Sequence, residues 1–179
     1  MSRRDDALAA RIDAALRDVP DFPKPGVLFK DIAPLLADGE LFEAVVAGLA
    51  ATIEDDDVDL VAGVEARGFV FAGALAVELG CGVVPVRKAG KLPPPTVSRS
   101  YDLEYGSAEI EVPVGLLDGR RVLLVDDVLA TGGTLRAGAD LLTEAGAQVA
   151  GIGVVIELGF LDGRSRLADG PPLHSLLTL

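Results

Sequence analysis

Asp126 and Asp127 stand side by side between the aliphatic run Val122-Leu123-Leu124-Val125 and the segment Val128-Leu129-Ala130-Thr131-Gly132-Gly133-Thr134. Four aliphatic residues in a row read as a strand buried on both faces. A helical pattern opens near Thr134, so the glycines fall in the turn that enters it. Such a turn suits a phosphate. The backbone N–H groups of Ala130, Thr131, Gly132, Gly133 and Thr134 can converge on one, because glycine lets the chain approach closely. The positive end of the helix dipole adds to this, as do the hydroxyls of Thr131 and Thr134. The acidic pair needs a different task, since a carboxylate about 4 Å from a phosphate charge is repelled by roughly 4 kcal/mol at an effective dielectric of about 20. Asp126 and Asp127 suit neutral ribose hydroxyls, or a divalent cation that reverses the local sign. The plainer reading is an acidic turn capping the next helix. The hydrophobic strand before it and the Thr-Gly-Gly-Thr turn after it argue against that.

Two other stretches carry chemistry of the same kind. Glu65-Ala66-Arg67-Gly68 lies between a strand pattern and a helix pattern. There a helix N-terminus and a guanidinium able to grip two oxygens would make an anion site. Residues 87–105 hold Arg87, Lys88, Lys91 and Arg99 against only Asp102 and Glu104. A basic island in an acidic chain suggests an anionic ligand. Read alone, either stretch would be an ordinary turn or a solvated loop.

The elements that must position these residues alternate. An amphipathic helix over 5–18 carries Leu8, Ile12 and Leu16 and is stopped by Pro20. An extended loop from Asp21 to Gly26 precedes the short apolar stretch Val27-Leu28-Phe29. Asp38 caps a helix over 39–53. A strand at 59–64, a helix near 68–79 and a strand at 83–86 come next. The basic loop follows, with Pro93-Pro94-Pro95 stiff yet unpacked. A half-exposed strand around 109–112 is entered by a hairpin turn at Tyr105-Gly106-Ser107. Strand 121–125, helix 134–145, strand 148–156 and a final short strand from Leu173 complete the chain. Aliphatic strands alternating with helices predict a mainly parallel α/β sheet covered on both faces, with ligands at the carboxyl ends of its strands.

Composition sets the bounds. A chain of 179 residues is long enough for one well-buried core and short for two domains. No apolar run approaches the ~20 residues of a membrane span, and the N-terminus lacks a hydrophobic signal region. The single cysteine, Cys81, excludes an internal disulfide, fits a reducing cytoplasm and reads as a small core residue. The single histidine, His174, has no second metal ligand nearby in sequence and receives no role. A net charge of −12 disfavours nucleic acid and anionic membranes as partners. The Asp55-Asp56-Asp57 run reads as a solvated loop.

The 122–134 segment resembles the phosphoribosyl-pyrophosphate signature of type I phosphoribosyltransferases, and Leu129-Ala130-Thr131-Gly132-Gly133-Thr134 is most similar to the adenine phosphoribosyltransferase family. Three further regions agree in order and spacing. Gly63-Val64-Glu65-Ala66-Arg67-Gly68-Phe69 is similar to the family's diphosphate loop. Val86 to Pro93 and Ser100 to Gly106 resemble the start and end of its mobile catalytic loop. Phe22-Pro23 through Ala33-Pro34 resembles the hood over the base. The resemblance spans Phe22 to Leu158. It implies one phosphoribosyltransferase domain over 1–179, with an N-terminal helix and base hood (1–35) and a mobile β-hairpin loop (87–106). The implied reaction is cytoplasmic purine salvage by a homodimer, joining adenine to phosphoribosyl pyrophosphate to give AMP and diphosphate.

The resemblance also distributes roles. Ala66, Arg67, Gly68, Arg87, Lys88 and Lys91 would contact diphosphate, partly across the dimer interface. Ala66–Arg67 would be strained or cis. Glu104 and Arg67 would be catalytic, Glu104 exchanging a proton with the purine. Asp126 and Asp127 would hold the ribose, and Ala130 to Thr134 its 5′-phosphate. Mg²⁺ would be held mainly by substrate oxygens, with Asp126 or Asp127 through water. Backbone groups of Leu28 and Lys30 would read the base edge, Phe29 would stack on it, and Leu129 would pack on its other face. Pro94 stands where the family often has Gly, which bears on the loop's flexibility rather than its charge. Lys30 stands where Arg is frequent, a change of little weight if the main chain does the reading. The rivals are transfer to hypoxanthine, guanine or xanthine, and a regulator that only senses phosphoribosyl pyrophosphate. No G-x-x-x-x-G-K-[ST] is present, which removes P-loop enzymes.

Overall fold

Hydrophobic alternation within single strands decides the architecture. The computed structural model describes residues 3–53, 58–102 and 106–179, and the side chains of these except residues 3–5 and 102. Strand β7 (Arg121–Leu129) sends Val122 and Leu124 to one buried cluster and Leu123 and Val125 to another. A strand apolar on both faces must lie inside a sheet covered on both sides, and β7 does. The seven-stranded sheet runs in the order β5-β6-β4-β3-β7-β8-β9. Strands β3 (Leu60–Val64), β4 (Gly82–Lys88), β7, β8 (Gln148–Glu157) and β9 (Leu173–Thr178) are parallel. The hairpin β5 (Thr96–Asp102) and β6 (Ser107–Pro113) joins β4 antiparallel.

Helix α5 (Gly133–Glu144) packs over one face. Helices α1 (Arg3–Ala15), α2 (Ala33–Ala37), α3 (Gly39–Ala50) and α4 (Gly68–Glu78) cover the other. Asp38 caps α3 as expected, its Oδ1 accepting from Leu41 N at 3.0 Å. Two short 3₁₀ turns, Gly159–Leu161 and Gly163–Leu167, link β8 to β9.

The structure departs from the sequence expectations at element bounds, among them that of β7, expected to end at 125 and running on to Leu129. The first helix ends at Ala15, not at 18, because β1 (Arg17–Pro20) pairs antiparallel with β2 (Leu28–Asp31). Lys30 Nζ lies 2.6 Å from Asp18 Oδ1, and Arg17 Nε donates to Asp31 Oδ2 at 3.0 Å, so charged pairs stitch this ribbon. Residues 96–102, part of the basic stretch, form β5 of the expected β-hairpin, with Val97 and Tyr101 packed on the core and all seven residues paired with β6. Pro93, Pro94 and Pro95 are exposed, as an unpacked connector should be. Glu104, the Asp55-Asp56-Asp57 run and the hairpin turn at Tyr105 lie outside the described residues.

Candidate active site

Strands β3 and β7 are neighbours, with Gly63 opposite Val125, so the turn leaving β3 emerges beside Asp126 and Asp127 in the last residues of β7. Gly68 opens α4 there with no room for a side chain. A Cβ on it would lie 2.8 Å from Val125 O and 3.0 Å from Asp126 Oδ1. The close approach brings the first turn of α4 against the acidic pair. Burial, then the neighbouring Asp127 charge, pushes the half-buried Asp126 carboxyl well above the usual carboxylate range. Burial likewise raises Asp127, opposed by the charge of Arg67. Asp127 is 3% exposed, and its Oδ2 lies 2.9 Å from Arg67 Nε. That N–H is not aimed along the contact, and Oδ2 receives no hydrogen bond. An orphaned, buried carboxylate oxygen calls for a donor or a cation from outside the chain.

Arg67 reaches a third segment. Its Cζ lies 5.2 Å from the Phe29 ring centroid, and Phe29 meets Phe22 edge-on at 5.1 Å. One guanidinium therefore joins the β3 turn, the end of β7 and the β1–β2 ribbon. Leu28 is exposed, and Phe29 and Lys30 are half-buried on that ribbon. Leu129 departs from the expectation. At 1% exposure it belongs to the core cluster under α5 and presents no open face. The cis peptide falls at Glu65–Ala66, one bond before the expected Ala66–Arg67.

The turn from Ala130 to Thr134 carries the end of β7 into the N-terminus of α5. Gly132 takes φ +79° as the N-cap of α5, a left-handed conformation that favours glycine. The N–H groups of a helix's first turn have no carbonyl within the helix to receive them. Sequence reading missed what supports this turn. A Cβ on Gly132 would lie 2.4 Å from Gly163 O, and one on Gly163 would lie 2.1 Å from Ala130 O. Two backbones thus meet with no space for any side chain.

The basic segment is organised by two carboxylates that sequence reading also gave no role. Glu65 Oε2 accepts from Lys88 N at 3.0 Å and Arg87 Nε at 3.2 Å, and these contacts hold its carboxyl below the ordinary range, the Lys88 N–H first. Glu111 Oε1 accepts from Lys91 N at 2.8 Å and Leu92 N at 2.7 Å. Arg87 Nη1 donates to Lys91 O at 3.0 Å. Arg87 and Lys88 are thereby gathered beside Glu65, two residues before Arg67, and the Lys91 turn is tied to Arg87.

Among the described residues no cluster of three or more His, Cys, Asp or Glu side chains could hold a metal ion. Mg²⁺, however, is commonly held by one or two carboxylates while substrate oxygens and water complete its octahedron. Asp126 and Asp127, with their unmet oxygen, fit that donor set.

Comparison with known proteins shows the family. The family model described as "Phosphoribosyl transferase domain" matches residues 35–169. An adenine phosphoribosyltransferase of Salinispora arenicola is 56% identical over 174 residues, 97% of this chain and 92% of that protein. The crystal structure of adenine phosphoribosyltransferase from Rhodothermus marinus superposes with a TM-score of 0.92 at 43% identity, covering 97% of this chain and 99% of that one. The Saccharomyces cerevisiae enzyme, solved with adenine and an imino-altritol bisphosphate, gives a TM-score of 0.89 at 37% identity, with 96% and 99% covered. The family model over residues 35–169 and the identity and length over which these relatives match place the chain in the adenine phosphoribosyltransferase family of phosphoribosyl transferase domains.

Proposed function

We propose that this chain transfers the 5-phosphoribosyl group of phosphoribosyl pyrophosphate to adenine, forming AMP and diphosphate in purine salvage. The observation that carries the reading is Arg67, whose guanidinium spans from Asp127 Oδ2 at 2.9 Å to the Phe29 ring at 5.2 Å. It links the turn assigned to diphosphate, the pair assigned to ribose and the ribbon assigned to the base through one side chain.

In the reaction a bond forms from adenine to the anomeric carbon as the bond from that carbon to diphosphate breaks. Positive charge develops on the sugar and negative charge on the leaving group. Asp126 and Asp127 orient the ribose hydroxyls, and their charge favours the cationic sugar. Ala130 to Thr134 anchor the 5′-phosphate. Arg67, Lys88, Lys91 and Arg87, with the backbone of Ala66 and Gly68, receive the diphosphate. Bound Mg²⁺ would supply further neutralisation of that leaving group. The proton lost by adenine goes to a base, for which Glu104 is the candidate. Leu28, Phe29 and Lys30 orient the ring. The enzyme works as a homodimer in the cytoplasm, and none of its described helices is long and apolar enough to cross a membrane.

Incubation with phosphoribosyl pyrophosphate, Mg²⁺ and each purine in turn tests the proposal. AMP from adenine is expected, with little nucleotide from hypoxanthine, guanine or xanthine. No AMP would overturn the reading, and preferential product from another purine would move it to that base.

A further inference from the structure

Thr134 is the second residue of α5, and its hydroxyl belongs to the cradle assigned to the 5′-phosphate. In this structure the hydroxyl donates elsewhere, to Tyr101 Oη on β5 at 3.2 Å. The contact is part of a docked face. Tyr101 is half-buried against the core cluster under α5. Two residues earlier, Arg99 pairs with Asp140 at 3.1 Å and Glu144 at 3.3 Å, further along the same helix. The β5–β6 hairpin is therefore fastened to α5 at both ends, and Tyr101 is the fastening at the cradle.

A threonine hydroxyl has one proton and two lone pairs. A phosphate oxyanion is a far stronger acceptor than a phenol, so an occupied cradle draws the Thr134 proton to the phosphate. The same Tyr101–Thr134 separation then serves in reverse, with the phenol O–H donating to Thr134 Oγ1. Such a chain polarises each member and strengthens the final bond. We propose that Tyr101 is a positioning residue for the 5′-phosphate. Its hydroxyl holds the Thr134 side chain in place when the cradle is empty, and it donates to Thr134 while Thr134 donates to bound phosphate. The inference rests on the assignment of the 5′-phosphate to Ala130–Thr134.

Titration calorimetry with ribose 5-phosphate and, separately, inorganic diphosphate tests it on wild type, Y101F, T134V and the double variant. Melting curves establish that each is folded. Y101F should weaken ribose 5-phosphate about three- to tenfold while diphosphate stays within about twofold. The double variant should bind ribose 5-phosphate no more weakly than T134V alone, because the phenol acts only through that hydroxyl. A purely structural fastening would instead weaken both ligands together, or give losses that add. Wild type and Y101F binding ribose 5-phosphate equally would overturn the role of Tyr101 and leave the cradle assignment standing. Wild type that does not bind ribose 5-phosphate at all would overturn the cradle assignment, and this proposal with it.

Discussion

Asp127 combines two properties that a purely structural residue would not keep. It is 3% exposed, and one of its oxygens has no hydrogen-bond donor. Burial raises its pKa, so ionising it in the empty protein is unfavourable. Asp127→Asn removes that burden, and the melting temperature should hold or rise. Turnover should fall roughly a hundredfold, about 2.7 kcal/mol of transition-state stabilisation. Steady-state kinetics beside a thermal melt measure both, and unchanged kinetics would remove the ribose role. Gly163 poses the complementary case. An alanine there would set its Cβ 2.1 Å from Ala130 O, so the chain under the turn at residues 130–134 must shift. Gly163→Ala should cost about 1–3 kcal/mol of stability, the usual range for overpacking, and should weaken ribose 5-phosphate more than diphosphate. Binding titrations with both ligands measure that difference. Gly132 was legible in the sequence because two adjacent glycines after an acidic pair announce a tight turn. Gly163 was not. Its φ is ordinary, and the need for glycine comes from a backbone more than thirty residues away in the chain.

The helices and parallel strands were legible for the same local reason, a period of hydrophobic residues that the final packing respects. The carboxyl end of β7 was hidden by its two carboxylates, since the ladder with β8 continues past them to Leu129. Two pairings were not legible either. Arg17–Pro20 carries no apolar alternation, and its partner lies across a loop. Thr96–Asp102 was hidden by its own charge. Arg99 occupies the inward face between Val97 and Tyr101, acceptable only because Asp140 and Glu144 of α5 receive it. What appeared as a cationic loop is thus a strand whose root is held by Glu111. That carboxylate accepts from Lys91 N and Leu92 N and faces Thr96 Oγ1 at 3.3 Å. Glu111→Ala strips two N–H groups of their acceptor and frees the turn that carries Lys91. KM for phosphoribosyl pyrophosphate should rise several-fold while KM for adenine stays unchanged. Initial rates with each substrate varied in turn decide it, and an equal rise in both would make Glu111 a general support of the fold.

At the scale of the molecule, the sheet and the turn proposed to hold phosphate are coupled through one ion pair at the end of β8. Glu157 accepts from Arg164 Nε at 2.9 Å and from Ser175 Oγ at 2.9 Å. Arg164 follows Gly163 directly, so the pair ties the turn beneath Ala130 to both β8 and β9. The Arg164 guanidinium, and then Ser175, hold the Glu157 carboxyl below the ordinary glutamate value of 4.5. A carboxylate with a lowered folded pKa contributes stability that is complete above its unfolded value and is lost as pH falls through the folded one. Glu157→Gln should therefore melt below wild type at neutral pH, and the gap should close as the solution is taken below 4.5. Net charge complicates a single melting curve, because a chain at −12 relieves self-repulsion as its carboxylates protonate. That relief acts on both proteins nearly alike and cancels in their difference. The gap between the two melting temperatures, followed against pH, thus isolates the pair. A gap that persists undiminished in acid would mean that Glu157 acts through shape rather than charge. A gap that closes together with a loss of ribose 5-phosphate affinity in Glu157→Gln at neutral pH would show that the pair also sets the position of the phosphate turn.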